Sequence, residues 1–446
     1  MRILSGKRRL AMTTVLAAGL GLAHGADFDD RLLGDWGGLR TTLAAHGLDL
    51  EVSYTGEFAA NVSGGAGREQ AYADQIYLGG SLDLQRLAGV PAPKIVFSFT
   101  DRNGESLSTK AQLNTLLEVQ EIFGEGNFAR LNQLYLDQWL FGNTVELKFG
   151  RLTGTFDFMP FSCYFQNIAF CATLPSHNVI ANWVAFPGST WAGIARVQFK
   201  HDWYAQAGVY EVNPAFQQSK YRFAFGTPFG GQGKRTVLEV GWLPKSAGPD
   251  GGYSVGTWYD DVGGNDLYLN TAGQPLATAG GTPLPRAHQS GFYAMAQQRV
   301  WAKGGADAPG LSVFANFVQG DRRITKIEQI AEVGVFWTGV TSWRPQDDLG
   351  AAIGRVHVNS LVAQGEALYN SQVAQTDVLY NSEVALSAGL PPQPQQRNEY
   401  PMEIHYSVNV TPAIVVRPNI QFIHAPGGVT ERADVLVFGV HLGIQF

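Results

Sequence analysis

Charged and hydroxyl-bearing side chains in this chain return at every second position of segments that are otherwise apolar. In 190–200, Arg196, Gln198 and Lys200 alternate with Trp191, Gly193, Ala195, Val197 and Phe199. In 399–411, Glu403, His405, Ser407 and Asn409 alternate with Met402, Ile404, Tyr406, Val408 and Val410. In 94–102, Lys94, Ser98, Thr100 and Arg102 alternate with Ile95, Phe97 and Phe99. Period 2 assigns the two sets to opposite faces of a β-strand. The chemistry open to such a polar face is hydrogen bonding to a solute, not bond making. Bond making needs a nucleophile beside a base. Beyond His24, the histidines are His46, His177, His201, His288, His357, His405, His424 and His441. None stands in a Gly-x-Ser-x-Gly setting, so catalysis is not expected. His177 is alone near Cys163 and Cys171, so neither a metal site nor a cofactor is expected. The two cysteines are close in sequence, and a disulfide across a short loop is the expected state in an exported chain.

Export is read from the start of the chain. Arg2, Lys7, Arg8 and Arg9 precede the apolar run Leu10–Ala23, and small residues follow at Ala23-His24-Gly25. This is the pattern of a signal peptide over 1–25. Removing it leaves 28 of the 32 basic residues against 38 acidic ones, a net charge of −10. That balance argues against nucleic acid as a partner. Charged residues make up 16% of the chain, below the roughly 25% usual for soluble domains. No other run approaches the ~20 apolar residues of a membrane helix.

The elements that must position the polar faces are strands. The last stretch, Val435–Phe446, places Leu436, Phe438, Val440, Leu442, Ile444 and Phe446 on one face. Similar segments recur from Leu48 onward, about sixteen in all. Three carboxylates, Asp49, Glu51 and Glu57, share a face of the first segment with Ser53 and Thr55. A lipid-facing Lys or Arg costs about 2–4 kcal/mol at the bilayer midplane, so charged faces belong in a watery lumen. Short connections such as 141–143, 201–202 and 411–413 alternate with long ones at 102–127, 153–189, 211–234, 261–289 and 359–398. An even strand count with short turns on one side fits a transmembrane up-and-down antiparallel β-barrel, an all-β fold. The expected organisation is a leader over 1–25, an N-terminal periplasmic segment over 26–47 with a short helix at Leu39–His46 closed by Gly47, and a barrel over 48–446. The aromatic-rich segment 153–189, with its two cysteines, is expected to fold into the barrel and narrow it. Phe446 is the expected assembly signal for the barrel-assembly machinery.

Several motifs carry a resemblance. They are Gly34-Asp35-Trp36-Gly37-Gly38-Leu39-Arg40, Ser53-Tyr54-Thr55-Gly56-Glu57, Asp101-Arg102-Asn103-Gly104-Glu105-Ser106-Leu107 and Phe149-Gly150-Arg151-Leu152. Gly208-Val209-Tyr210-Glu211-Val212-Asn213-Pro214 and Arg417-Pro418-Asn419-Ile420-Gln421 follow. In order and spacing the chain resembles the carbohydrate-selective porins of the OprB type. The resemblance implies a sixteen-stranded porin in the outer membrane of a Gram-negative bacterium, surrounded by lipid and passing glucose-like sugars by diffusion. The polar loop 359–398 has no match in it. A sugar lumen needs donors, acceptors and flat apolar faces, which Arg, Glu and the aromatics supply. Binding must also stay weak enough for flux. The lining candidates are Arg102, Glu105, Arg130, Arg151, Arg196, Tyr204, Glu239 and Arg299. A general or anion-preferring porin is the alternative, since arginines also attract anions; an outer-membrane enzyme is a remote one. The chain is expected to act as a monomer or a homotrimer.

Overall fold

A computed structural model describes residues 30–446, apart from 90–91, 125, 155, 159–163, 172–178, 181–182, 227–229, 249–250, 305–307 and 381–391. The leader expected over 1–25 lies outside the described residues. The strands are β1 (Leu48–Ser63), β2 (Gln70–Asp83), β3 (Lys94–Gly104), β4 (Ala129–Leu140), β5 (Val145–Leu152) and β6 (Thr190–Gln198). They continue as β7 (Trp203–Val212), β8 (Gly233–Trp242), β9 (Gly252–Asp260), β10 (Gly264–Asn270), β11 (Pro283–Arg286) and β12 (Gln289–Ala302). The last are β13 (Gly310–Gln319), β14 (Ile327–Thr338), β15 (Asp348–Val358), β16 (Asn398–Thr411), β17 (Ile414–His424) and β18 (Val435–Gln445). All but β10 and β11 form one closed antiparallel barrel. It closes where Ser53 pairs with Gln445 and Glu57 with His441.

The alternation read from sequence fixes the faces. Ser53, Thr55 and Glu57 are buried on the inside of β1, and Ser98, Thr100 and Arg102 on the inside of β3. Outside, Phe149, Leu238, Val255, Ile404 and Phe438 remain exposed, as a wall bathed in hydrocarbon requires. At the rim that carries both termini, the helix Leu39–Ala45 sits beneath β1. Gly47 ends it with φ +88°, and a Cβ there would meet the Asp83 carbonyl at 2.6 Å, so only glycine fits. Arg40 lies over the Trp36 ring at 4.0 Å and donates to the carbonyls of Leu50 and Phe446. The N-terminal segment thereby braces the barrel seam.

Three features differ from the sequence reading. The loop-rim connections 64–69 and 320–326 are short, while 84–93 on the terminus rim carries the helix Leu84–Ala88. Connection lengths therefore do not alternate strictly. The connection after β9 holds the separate β10–β11 hairpin. The loop 359–398 carries the helix Ser360–Tyr380, packed on the short helix Leu276–Ala279 and on β10.

Two loops cover the inner wall. Residues Leu107, Ala111, Leu113 and Val119 pack on Ala59, Ala71, Ile423, Val435 and Val437. Phe158, Phe165, Phe170, Ile180 and Trp183 pack on inward residues of β7, β8 and β12–β15, among them Tyr210, Val237, Tyr293, Phe314 and Phe336. Each fully buried large side chain contributes about 1.5–3 kcal/mol, so these loops are parts of the barrel's interior rather than fringes. The connection 105–128 was not expected to enter; it has no strand period and few aromatics to announce it.

Candidate functional site

The two loops are bonded to each other. The Glu121 amide donates to the Gln166 carbonyl at 2.9 Å, and the Ile168 amide to the Glu118 carbonyl at 3.1 Å. The polar inward face of β16 and β17 holds them in place. Glu403 accepts from the Gln166 amide at 3.0 Å and the Asn167 amide at 2.7 Å. Gln421 donates to the Val119 carbonyl at 2.9 Å, Asn419 to Gln166 Oε1 at 2.7 Å and Arg417 to the Tyr164 carbonyl at 2.8 Å. From β1, Glu57 accepts from the Ile122 amide at 3.4 Å. The wall's polar residues thus replace the water that loop backbone would otherwise need.

This arrangement brings charge to one level of the lumen. Arg102 donates through Nε to Gln75 Oε1 at 2.8 Å and lies over the Phe186 ring at 5.2 Å. Glu121, half-buried on the 105–128 loop, lies within electrostatic reach of Arg102 and Arg417. Protein surrounds its carboxyl, and burial pushes its pKa up to about 7 while the two guanidinium groups pull it down.

Other arginines repeat the pattern of a cation on a ring. Arg130 lies over Phe128 at 4.5 Å, Arg151 over Phe216 at 3.8 Å, Arg196 over Tyr204 at 4.0 Å and Arg235 over Trp183 at 4.7 Å. Stacking holds each guanidinium plane without consuming its donors. Arg235 also pairs with Asp260 through both terminal oxygens.

The sequence candidates fall into groups. Arg196, Tyr204 and Glu239 come together on neighbouring strands. Glu239 accepts from Tyr204 at 2.7 Å, from Gln206 at 2.8 Å and from Tyr293 at 2.8 Å. Arg102 and Arg130 are on the inner face of β3 and β4, where Arg130 pairs with Thr100. Arg151, expected to line the pore, is on the outward parity of β5 instead: it pairs with Leu134 and Trp191, shares the face of the exposed Phe149 and lies under the loop that follows β7, over Phe216. Arg151 donates to Ser189 and to the Ala224 carbonyl. Arg299 stands apart near the terminus rim, where it donates to the Ala308 carbonyl in the β12–β13 turn. Glu105 stands exposed at the loop rim, paired with Lys110 at 2.7 Å. Glu57, Glu121, Phe186, Arg235 and Arg417 were not among the candidates. Parity alone would have found Arg235, which shares the face of Glu239, and Arg417, which shares the face of Asn419 and Gln421. Cys171 is disulfide-bonded. Cys163, the chain's other cysteine, lies outside the described residues.

Comparison with known proteins agrees with this architecture. The profile of the carbohydrate-selective porin, OprB family, matches residues 67–446. Porin B of Pseudomonas aeruginosa is 36% identical over 443 residues, covering 96% of this chain and 95% of its own. The putative porin QuiX of Acinetobacter baylyi is 30% identical over 455 residues, covering 99% of each. The solved high-pH structure of Pseudomonas putida OprB superposes with a TM-score of 0.86 at 33% identity, covering 95% of this chain and all of that one. The chain belongs to the carbohydrate-selective porin family of the OprB type, and its sixteen-stranded barrel is that of a Gram-negative outer-membrane porin.

Proposed function

We propose that the barrel passes neutral, glucose-like sugars by passive diffusion past the level of Arg102, Glu121 and Phe186. The observation that carries this reading is Glu121. An inward loop delivers a carboxylate within reach of two arginines, one of which, Arg102, lies over the Phe186 ring. Donor fork, acceptor and flat apolar face then meet at one level, which suits a solute bearing many hydroxyls and no charge. Each net hydrogen bond contributes roughly 0.5–1.5 kcal/mol, strong enough to select and weak enough to release. Arg130 and Arg196 extend the lining above and below. Arg299 and Glu105 serve the rims.

The test is sugar block of ion current in planar bilayers. Arg102→Ala is expected to weaken glucose block about two- to tenfold and to lower anion preference. Lys94→Ala, nearer the terminus rim, is expected to do less. Equal, negligible effects of the two variants would move the constriction elsewhere. Unchanged sugar block with reduced anion preference would favour an anion-preferring porin.

A further inference from the structure

The lipid-facing wall carries a cation with no carboxylate beside it. On β15 the buried Ala352, Val356 and Val358 face inward. Arg355 and His357 are therefore on the outward parity. Arg355 donates through Nε to Asn398 Oδ1 at 2.9 Å and lies 3.5 Å through Nη1 from Gln329 Oε1. His357 Nδ1 lies 2.8 Å from the same Asn398 oxygen. Among the described residues Arg355 makes no ion pair, and its second terminal nitrogen makes no hydrogen bond. An outward arginine is costly at the bilayer midplane and tolerable only near the headgroups. Arg355 stands close to the loop-rim end of β15, at the level of the outer leaflet. Gln329 and Gln319, hydrogen-bonded at 2.8 Å, continue the polar row.

Beneath this row the wall is hollow. Ala331 pairs with Arg355 across β14–β15, Phe317 with Ala331 across β13–β14, and Ala294 with Phe317 across β12–β13. Ala296 and Ala315 pair in the adjacent row. Where most outward positions carry large side chains, these alanines widen an apolar trough of about 760 Å³ that runs on past Val255 and Val240 to Trp242 and Trp203.

We propose that the trough and its outer cationic edge form a site for a phosphorylated, multiply acylated amphiphile of the outer leaflet, a lipid A-type glycolipid. The occupant follows from three features of the wall. The Arg355 cation has no carboxylate beside it and keeps its second terminal nitrogen outside its two amide contacts, which suits a phosphate. The amide row suits the hydroxyls of a saccharide headgroup. The trough crosses several strands, wide enough for more than one acyl chain, and opens directly to hydrocarbon. A second copy of the chain would have to bring its own carboxylate to Arg355 and fill the same hollow.

The test uses full-length, delipidated protein in detergent and native mass spectrometry. The probes are bis-phosphorylated lipid A, the same lipid without phosphates, phosphatidylethanolamine and inorganic phosphate. Lipid A is expected to occupy a saturable site. Arg355→Ala combined with His357→Ala should weaken it at least tenfold, and Ala331→Phe should do so by filling the trough. Arg355→Lys should retain part of the affinity. Heat-modifiable migration and sugar block, unchanged in all variants, report the intact barrel. Phosphate-free lipid A should bind at least tenfold more weakly, and phosphatidylethanolamine and free phosphate should not occupy the site. Equal binding of lipid A by wild type and the double variant, or equal binding of the two lipid A forms, overturns the proposal. So does a lipid-independent oligomer that the double variant dissociates, which would make this face a contact between copies.

Discussion

Glu121 is the residue whose protonation should be read most directly in the current. In the unfolded chain a glutamate titrates near 4.5, whereas here burial raises the value to about 7. Between those values the folded protein holds a proton that the unfolded chain has released. Its contribution to stability therefore falls as pH rises through that window. In the open pore the same proton sets the local charge. At pH 6 Glu121 is largely neutral and adds no negative charge beside Arg102 and Arg417; at pH 8 it adds one. Anion preference, read from the reversal potential in a salt gradient, is expected to be larger at pH 6 than at pH 8. Glu121→Gln should hold it at the acidic value throughout, and a pH dependence unchanged in that variant would assign the titration to another group. Sequence could find Arg102, Arg196, Tyr204 and Glu239 because strand parity marks them. It could not find Glu121 or Phe186, because loop residues have no parity and their place depends on which wall the loop meets.

At the scale of elements, the strands were legible and the loops were not. Alternating residues located every barrel strand because a wall between lipid and water needs period 2 along its whole height. The helix Ser360–Tyr380 gave no such sign: its apolar residues do not gather on one face, so only its contacts with Leu276–Ala279 and β10 account for it. The N-terminal brace was legible as a short helix, but its bond across the seam was not. Arg40 is buried and spans from Leu50 to Phe446, while the Leu32 amide donates to the Gln445 carbonyl at 2.8 Å. Arg40→Ala is expected to cost about 1–3 kcal/mol, seen as a lower temperature for conversion to the heat-denatured form, with sugar block unchanged. Phe446→Ser should act earlier, lowering the amount of folded barrel that reaches the membrane while export continues. Normal barrel yield in Phe446→Ser would remove the assembly role from that residue. An unchanged conversion temperature in Arg40→Ala would show that the seam holds without its brace.

At the scale of the whole molecule, a sixteen-stranded barrel leaves an aqueous channel, and the two loops that pack on its inner wall occupy part of that space. Both loops are anchored to the wall by apolar packing and by carboxylates or amides on β1, β16 and β17, and they are anchored to each other by two backbone hydrogen bonds. A constriction built this way depends on both loops, since each occupies a different part of the wall. Replacing 111–122 by a short Gly-Ser linker removes Leu113, Val119, Glu121 and Ile122, and with them the partners of Gln166 and Glu57. The sixteen strands keep their own ladder. The expected result is folded, heat-modifiable barrel with single-channel conductance raised severalfold and glucose block lost. Cys171→Ser leaves the 105–128 loop in place and frees the other one from its disulfide. It should give a smaller rise in conductance with more frequent transitions, and mass spectrometry of the unreduced wild type should find the two thiols oxidised. Two free thiols would remove the disulfide from this account. If the linker variant conducts like wild type, the 105–128 loop does not set the bore, and the 153–189 loop alone must do so. If it conducts more but still binds sugar with the original affinity, Glu121 is not part of the binding level and the sugar contacts lie with the stacked Arg130, Arg196 and Arg235.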